Sequence, residues 1–107
     1  MIMYYDSPGN PRFFKYIKQY GTNETEQLIR DINGELITNN EECISVGKIY
    51  FYGKNGNVDV VYFNNKNECM TFSFVITGEK YFVKMSKGSA SLLNSWQSSA
   101  REPVSTN

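Results

Sequence analysis

Two glutamate–cysteine pairs are the part of the sequence whose residue types could bind a metal or form a covalent link. They close the stretches "NNEEC" at 39–43 and "NNKNEC" at 64–69, and each is followed by a run rich in apolar residues. The sequence contains no histidine. Because a structural zinc site needs four ligands, carboxylates would have to complete one built on two thiolates. The alternatives are a disulfide between Cys43 and Cys69, or two separate structural cysteines.

The lack of histidine also bears on catalysis. It removes the commonest general base and every Ser–His or Cys–His nucleophile pair. A polar row of Asp59, Ser73 and Lys84 is a candidate site, with Asp59 as base or Lys84 as partner to Ser73. Cross-strand pairing on a solvated face explains the same row, and the sequence contains no glycine-rich phosphate loop or nucleophile elbow. We therefore expect no enzyme, no cofactor and no bound metal.

Length and charge narrow the class of protein. The 107 residues are 40% hydrophobic and 15% aromatic, which is typical of one globular domain. Eleven Lys and Arg balance eleven Asp and Glu, whereas nucleic-acid binders usually show a basic excess, so no nucleic-acid partner is expected. No segment has the length of a membrane span, and the first ten residues do not resemble a signal peptide. These features predict a cytoplasmic protein with reduced cysteines and no membrane association.

The first third of the chain has a helical pattern. A helix is predicted over residues 10–20, where apolar side chains recur at i, i+1, i+4 and i+7. A second helix is predicted from Thr22 or Asn23 to Asn33, because Asn23 and Glu26 have capping-box spacing. The two would form a helical hairpin with one shared apolar face. The basic side chains of the first helix lie largely off that face and are interpreted as solvated: Arg12, Lys15 and Lys18.

From residue 34 onward the apolar period changes to two, which predicts antiparallel strands. Two hairpins are expected, with turns at Asn55-Gly56 and Gly78-Glu79. A loop over 64–68 would join them into a four-stranded meander, and Glu35–Thr38 would add a short edge strand. One face of the meander is apolar and needs a cover, for which the helical hairpin is the candidate. The residues predicted on this covered face are Ile49, Phe51, Val58, Val60, Tyr62, Met70, Phe72, Phe74, Ile76, Tyr81, Val83 and Met85.

These elements predict an α+β two-layer sandwich, in which the N-terminal helical hairpin packs on a four- to five-stranded antiparallel meander. A short C-terminal helix would dock Leu92, Leu93 and Trp96 on the core. The single domain would cover residues 1–98, and residues 99–107 would form a flexible tail. The predicted topology is similar to that of cystatin-like and NTF2-like folds, in which helices pack on a curved sheet, and the similarity concerns topology alone.

The predicted register keeps the two cysteines apart. Strands that begin near Cys43 and Cys69 would lie two strand spacings from each other, about 10 Å, beyond the roughly 7 Å limit for the Cα atoms of a disulfide. Cys43 would also overhang the sheet by roughly 15 Å. We therefore predict two free thiols that act as small hydrophobic side chains.

The outer face of the meander is the predicted binding surface. Exposed aromatic side chains there would form a patch, and tyrosine is enriched at protein interfaces, unless a terminal segment covers them. The expected function is a small binding protein of the inhibitor, immunity or mobile-element accessory type, acting on a protein partner or as a homodimer. The alternative is a small-molecule-binding domain or enzyme with a pocket between helices and sheet. The predicted site residues are Tyr50, Tyr52, Asp59, Phe63, Phe82 and Lys84.

Overall fold

A computed structural model describes residues 1–19, 23–38, 43–66 and 68–103. The elements in chain order are β1 (Ile2–Ser7), β2 (Asn10–Ile17), α1 (Asn23–Ile32), β3 (Leu36–Ile37), β4 (Gly47–Tyr52), β5 (Val58–Asn64), β6 (Thr71–Ile76), β7 (Glu79–Lys84) and α2 (Lys87–Gln97). The strands form one seven-stranded antiparallel sheet in the order β2-β1-β4-β5-β6-β7-β3. Neither helix is long and apolar enough to cross a membrane. The fold is α+β, but its architecture differs from the prediction.

The predicted N-terminal helical hairpin is wrong, because residues 10–17 form a strand. This strand pairs with β1, and Gly9 in the connecting turn has a φ of 72°. The side chain of Asn10 caps no helix; its Oδ1 accepts a hydrogen bond from the backbone N–H of Arg12 at 3.0 Å. An aromatic-rich segment fits the pleated surface of a strand as well as a helical stripe. The strand formed by residues 1–7 pairs with this segment, and that pairing favours a strand over a helix.

The strands β4 to β7 are neighbours in chain order, as the predicted meander requires. The side chains of β5, however, face the side of the sheet opposite to the one predicted. The turn between β4 and β5 is a five-residue loop over 53–57, so Tyr52 pairs with Val58 and Ile49 with Val61. The predicted two-residue turn differs from this register by one position, and a one-residue slip moves every side chain of a strand to the other face. Val61 and Phe63 are therefore buried in the core, whereas Val58, Val60 and Tyr62 face outward.

The β6–β7 hairpin has the faces that the sequence predicts, although its turn is displaced. Thr77 and Gly78 occupy the turn with φ values of 52° and 81°, as a two-residue type I′ turn requires. The resulting register differs from the predicted one by two positions, and a shift of two leaves the faces unchanged. Phe72 and Phe74 accordingly face the core and its margin.

The core lies between the inner face of the sheet and the two helices. Helix α1 confirms the second predicted helix and buries Leu28, while α2 confirms the C-terminal helix and buries Leu93 with Trp96 against the same cluster. The Tyr4 hydroxyl donates a hydrogen bond to the Leu93 carbonyl at 2.5 Å, which ties α2 to β1. Both helices pack on this one face, so the C-terminal helix does not cover the outer face of the sheet.

A carboxylate joins the two helices. Asp31 Oδ2 accepts hydrogen bonds from the Ser86 N–H at 2.9 Å, the Ser86 Oγ at 2.7 Å and the Ser89 Oγ at 2.5 Å. Ser86 is the N-cap residue of α2, where a negative charge is favourable. Burial would raise the pKa of Asp31, but these hydrogen bonds outweigh it and hold the pKa below its ordinary value.

The prediction of two free thiols is wrong, because Cys43 and Cys69 form a disulfide with their Cα atoms 5.5 Å apart. The predicted overhang assumed that the chain before β4 continues straight out of the sheet. Instead, β3 pairs with β7, and the connection from β3 to β4 spans three strands. Residues 43–46 lie back against β5, where Asn64 Nδ2 donates to the Ile44 carbonyl at 2.6 Å. This return brings Cys43 to the start of β6.

Several predictions concern positions near the limits of the described residues. β3 corresponds to the predicted edge strand at 35–38 and lies at the β7 edge. Tyr16 and Arg101 form a backbone bridge at the other edge, whereas residues 104–107 lie outside the described residues, so the flexible tail over 99–107 stays a prediction. The asparagine pair at 39–40 and the predicted end of the first helix at residue 20 also lie outside them.

Candidate interaction surface

A row of outward-facing side chains crosses the whole sheet. Strand pairing places these residues side by side, and in antiparallel strands residues directly opposite each other share a face. The row contains Tyr16, Met3, Lys48, Tyr62, Ser73, Phe82 and Ile37.

Charges are segregated between the two faces of strands β4 to β7. The outward positions of these four strands carry Lys48, Lys80 and Lys84 and no acidic residue. Their two acidic residues, Asp59 and Glu79, occupy inward positions opposite Phe51 and Ile76, respectively. The outer face of this part of the sheet is therefore basic, although the whole chain has no net charge.

Lys48 lies among tyrosines on this outer face. Its Nζ is 5.2 Å from the centroid of the Tyr50 ring, which is within the range of a cation–π contact. Tyr62 is its direct cross-strand neighbour. Tyr5 lies diagonally across from Lys48, because Met3 pairs with Lys48 and the Tyr5 backbone N–H donates to the carbonyl of Val46, two residues before Lys48. Lys48 thus has three tyrosines at neighbouring outward positions, on its own strand and on the strands to either side.

The protonation states of this group are set by its members. A hydrogen bond with Tyr50 raises the pKa of Lys48, and burial, which opposes it, is the smaller effect. Burial raises the pKa of Tyr5, partly offset by the nearby Lys48 charge. At neutral pH the lysine is therefore a cation and the Tyr5 hydroxyl keeps its proton, so both groups can donate hydrogen bonds.

Tyr52 extends the group along β4. Its ring stacks on that of Tyr50 with a centroid distance of 6.5 Å and an interplanar angle of 24°, and 66% of Tyr52 is exposed. Lys48 and Tyr52 precede and follow Tyr50 by two positions, so they lie on opposite sides of its ring. We call Tyr5, Lys48, Tyr50, Tyr52 and Tyr62 the Lys48–tyrosine surface.

The structure separates the predicted site residues. Tyr50 and Tyr52 face outward as expected, and Lys84 is exposed on the same face. Phe82 also faces outward but is only 4% exposed. Two residues are not on the outer face.

Phe63 lies in the core, edge-on to Tyr4 with ring centroids 5.6 Å apart, and Asp59 occupies an exposed inward position. The predicted polar row is consequently not assembled, because Asp59 and Ser73 lie on opposite sides of the sheet. Lys48 belongs to the surface but was not among the predicted site residues. It could have been predicted from the sequence, since it alternates with Tyr50 and Tyr52. Tyr5 could be found only by recognising β1 as a strand.

Residues 43–45 border the other half of the outer face. Together with Tyr5, Tyr62, Phe82 and the turn at Gly9, they line an outer groove of about 640 Å³. The disulfide and the Asn64–Ile44 hydrogen bond hold this segment in place. Tyr50 and Tyr52 do not line this groove, so they lie on the part of the face away from the segment.

A second cavity lies where the two hairpins diverge. The β5–β6 pairing covers only the three pairs from Tyr62–Ser73 to Asn64–Thr71, although both strands continue beyond Tyr62 and Ser73. The gap and helix α1 enclose a cleft of about 640 Å³. Four exposed apolar side chains line this β5–β6 cleft: Ile29, Val58, Val75 and Ile76.

The described part of the chain contains no group of three His, Cys, Asp or Glu side chains that could hold a metal ion.

The chain matches no protein-family model, and no curated protein sequence and no solved structure is significantly similar to it.

Proposed function

We propose that the protein is a small binding protein that acts by protein–protein interaction through the Lys48–tyrosine surface. The observation that carries the proposal is the grouping of one lysine with outward tyrosines on an open part of the sheet. Tyrosine combines a large apolar ring with a polar tip and is enriched among the residues that dominate binding energy. An inhibitor, immunity protein or mobile-element accessory protein would act by such an interaction.

The partner is a different protein rather than a second copy. A twofold homodimer places the same surface patch on both sides of the interface. It would bring the basic outer faces of the two copies together, each with Lys48, Lys80 and Lys84, and like charges on both sides of an interface are unfavourable. This argument favours the protein-partner alternative over the homodimer.

The disulfide bears on location. Disulfides persist in oxidising environments and are rare in the cytosol. The Cys43–Cys69 link therefore favours an oxidising compartment for this protein over the cytoplasmic location that the sequence suggests.

Site-specific photocrosslinking in the native host tests the proposed function. A photoreactive phenylalanine analogue at Tyr52 should yield a crosslinked species larger than the monomer, because Tyr52 lies at the open end of the surface. The matched control is the same analogue at Gln97, which is exposed on α2 in the other layer. The proposal is wrong if Tyr52 gives no adduct, or if both positions give the same adducts.

The β5–β6 cleft supports a second candidate, the binding of a small apolar ligand between helix and sheet. Its volume falls within the range of ligand pockets, and its lining is mainly apolar. A naphthalene-sulfonate dye should then bind with saturation, and Val75→Asp should abolish binding. Ile37→Asp, at an exposed apolar position at the edge of the sheet, is the control that should leave it unchanged. Unsaturable binding would exclude this candidate.

A further inference from the structure

We infer that the partner contributes an acidic protein segment, whose Asp or Glu carboxylates contact the Lys48 ammonium and the hydroxyls of Tyr5 and Tyr62. This inference rests on the proposed function, because it names the partner chemistry of the same surface.

Charge complementarity is the first argument. The outward positions of β4 to β7 carry three lysines and no acidic residue. Within its row, Lys48 has Met3 on one side and Tyr62 on the other, so neither cross-strand neighbour neutralises it. Complementary charge speeds association and selects partners. A partner with carboxylates supplies the charge that the outward positions of these strands lack.

The donor set is the second argument. A carboxylate accepts up to about four hydrogen bonds, while an ammonium offers three donors and each phenol one. Lys48 is held over the Tyr50 ring, which limits the side-chain entropy lost on binding. Tyr5, Tyr50 and Tyr62 are half-buried, which restricts the conformations of their side chains. The surface therefore presents oriented donors to an acceptor-only group.

Ring stacking favours an acidic protein over single-stranded nucleic acid. Proteins that bind single strands stack bases on free aromatic faces. The Tyr50 ring has Lys48 on one side and the Tyr52 ring on the other, so the exposed Tyr52 ring is the one place in this group where a base could stack. The hydroxyl edges remain, and they suit carboxylates.

Titration with a deca-glutamate peptide tests the inference on the full-length oxidised protein. We expect saturable shifts in the NMR signals of Lys48 and of the Tyr5 and Tyr62 rings. Because exposed ion pairs are screened by salt, the affinity should fall as ionic strength rises from about 0.05 to about 0.3 M. A deca-lysine peptide of equal length should cause no such shifts.

Two variants and a control locate the binding. Lys48→Gln should weaken deca-glutamate binding roughly fivefold, the effect of one exposed charge pair. Tyr62→Phe keeps the ring but removes one of the proposed hydroxyl donors, so it should weaken binding by less than Lys48→Gln does. Lys87→Gln, at the start of α2, removes the same charge from the other layer and should leave the affinity unchanged.

Three results would overturn the inference. One is the absence of shifts with deca-glutamate, and another is an equal loss in Lys48→Gln and Lys87→Gln. The third is tighter binding of a ten-residue oligothymidylate than of deca-glutamate at the same salt concentration. A Tyr52 crosslink to a protein partner together with any of these results would leave the proposed function standing and reject only the acidic segment.

Discussion

At the scale of single residues, the clearest consequence of the structure is a pH dependence that belongs to Asp31. Its carboxylate accepts three hydrogen bonds from Ser86 and Ser89, and these lower its pKa despite the opposing effect of burial. A group whose pKa is lower in the folded state binds its proton more readily when unfolded. It therefore contributes stability above its ordinary pKa of 3.8, and this contribution is lost as the pH falls through the folded pKa.

We predict that Asp31→Asn costs about 1–3 kcal/mol in the free energy of unfolding at pH 7, the value of hydrogen bonds to a charged group. The difference from wild type should shrink as the pH falls from about 5 to about 2, since the wild-type carboxylate is then protonated. Urea melts at several pH values measure it. Asp59→Asn, at an exposed position, is the control and should change stability by less than about 0.5 kcal/mol. A difference that stays constant across this range would contradict the assignment.

At the scale of elements, the sequence predicted local structure better than register. α1 was predictable because its apolar spacing and its capping-box signal agree. α2 was predictable from the spacing of Leu92, Leu93 and Trp96, and the four central strands were predictable from their alternation. β2 was missed because an aromatic-rich segment fits two periods, and only its pairing with β1, which lies between β2 and β4 in the sheet, decides between them. The register of β5 depended on whether its hairpin loop contains two residues or five, and no side-chain pattern within the strand determined that.

Adjacent valines in β5 test the register directly. Val61 is 5% exposed in the core, whereas Val60 faces outward and is half-buried. We predict that Val61→Ala costs about 1–3 kcal/mol through lost burial and the cavity left behind, and that Val60→Ala costs clearly less. Both variants remove the same atoms, so urea melts compare burial alone. Equal losses in the free energy of unfolding, or a larger loss for Val60→Ala, would contradict this register and support the one with a two-residue turn.

At the scale of the whole molecule, neither the disulfide nor the charge distribution could be predicted from the sequence, and the reason is the same for both. The zero net charge conceals a basic outer face on β4 to β7, which becomes visible only when the strand faces are known. Likewise, Cys43 and Cys69 meet because β3 lies beyond β7, so that residues 43–46 return across the sheet. Both features depend on the order of the strands in the sheet. That order cannot be read from the spacing of residues along the chain.

The disulfide gives the last prediction. The two cysteines are 26 residues apart, and in the chain-entropy model closing a loop of this size stabilises the folded state by about 3.5 kcal/mol. The Cys43→Ser/Cys69→Ser double variant should therefore lose roughly 2–4 kcal/mol in urea melts. Reduced wild type should resemble that variant, because both lack the link while retaining similar side chains. Thiol titration of the denatured, non-reduced protein should find no reactive groups. Two reactive thiols, or equal stability of the oxidised protein and the double variant, would contradict the disulfide. The argument for an oxidising compartment would then fail as well.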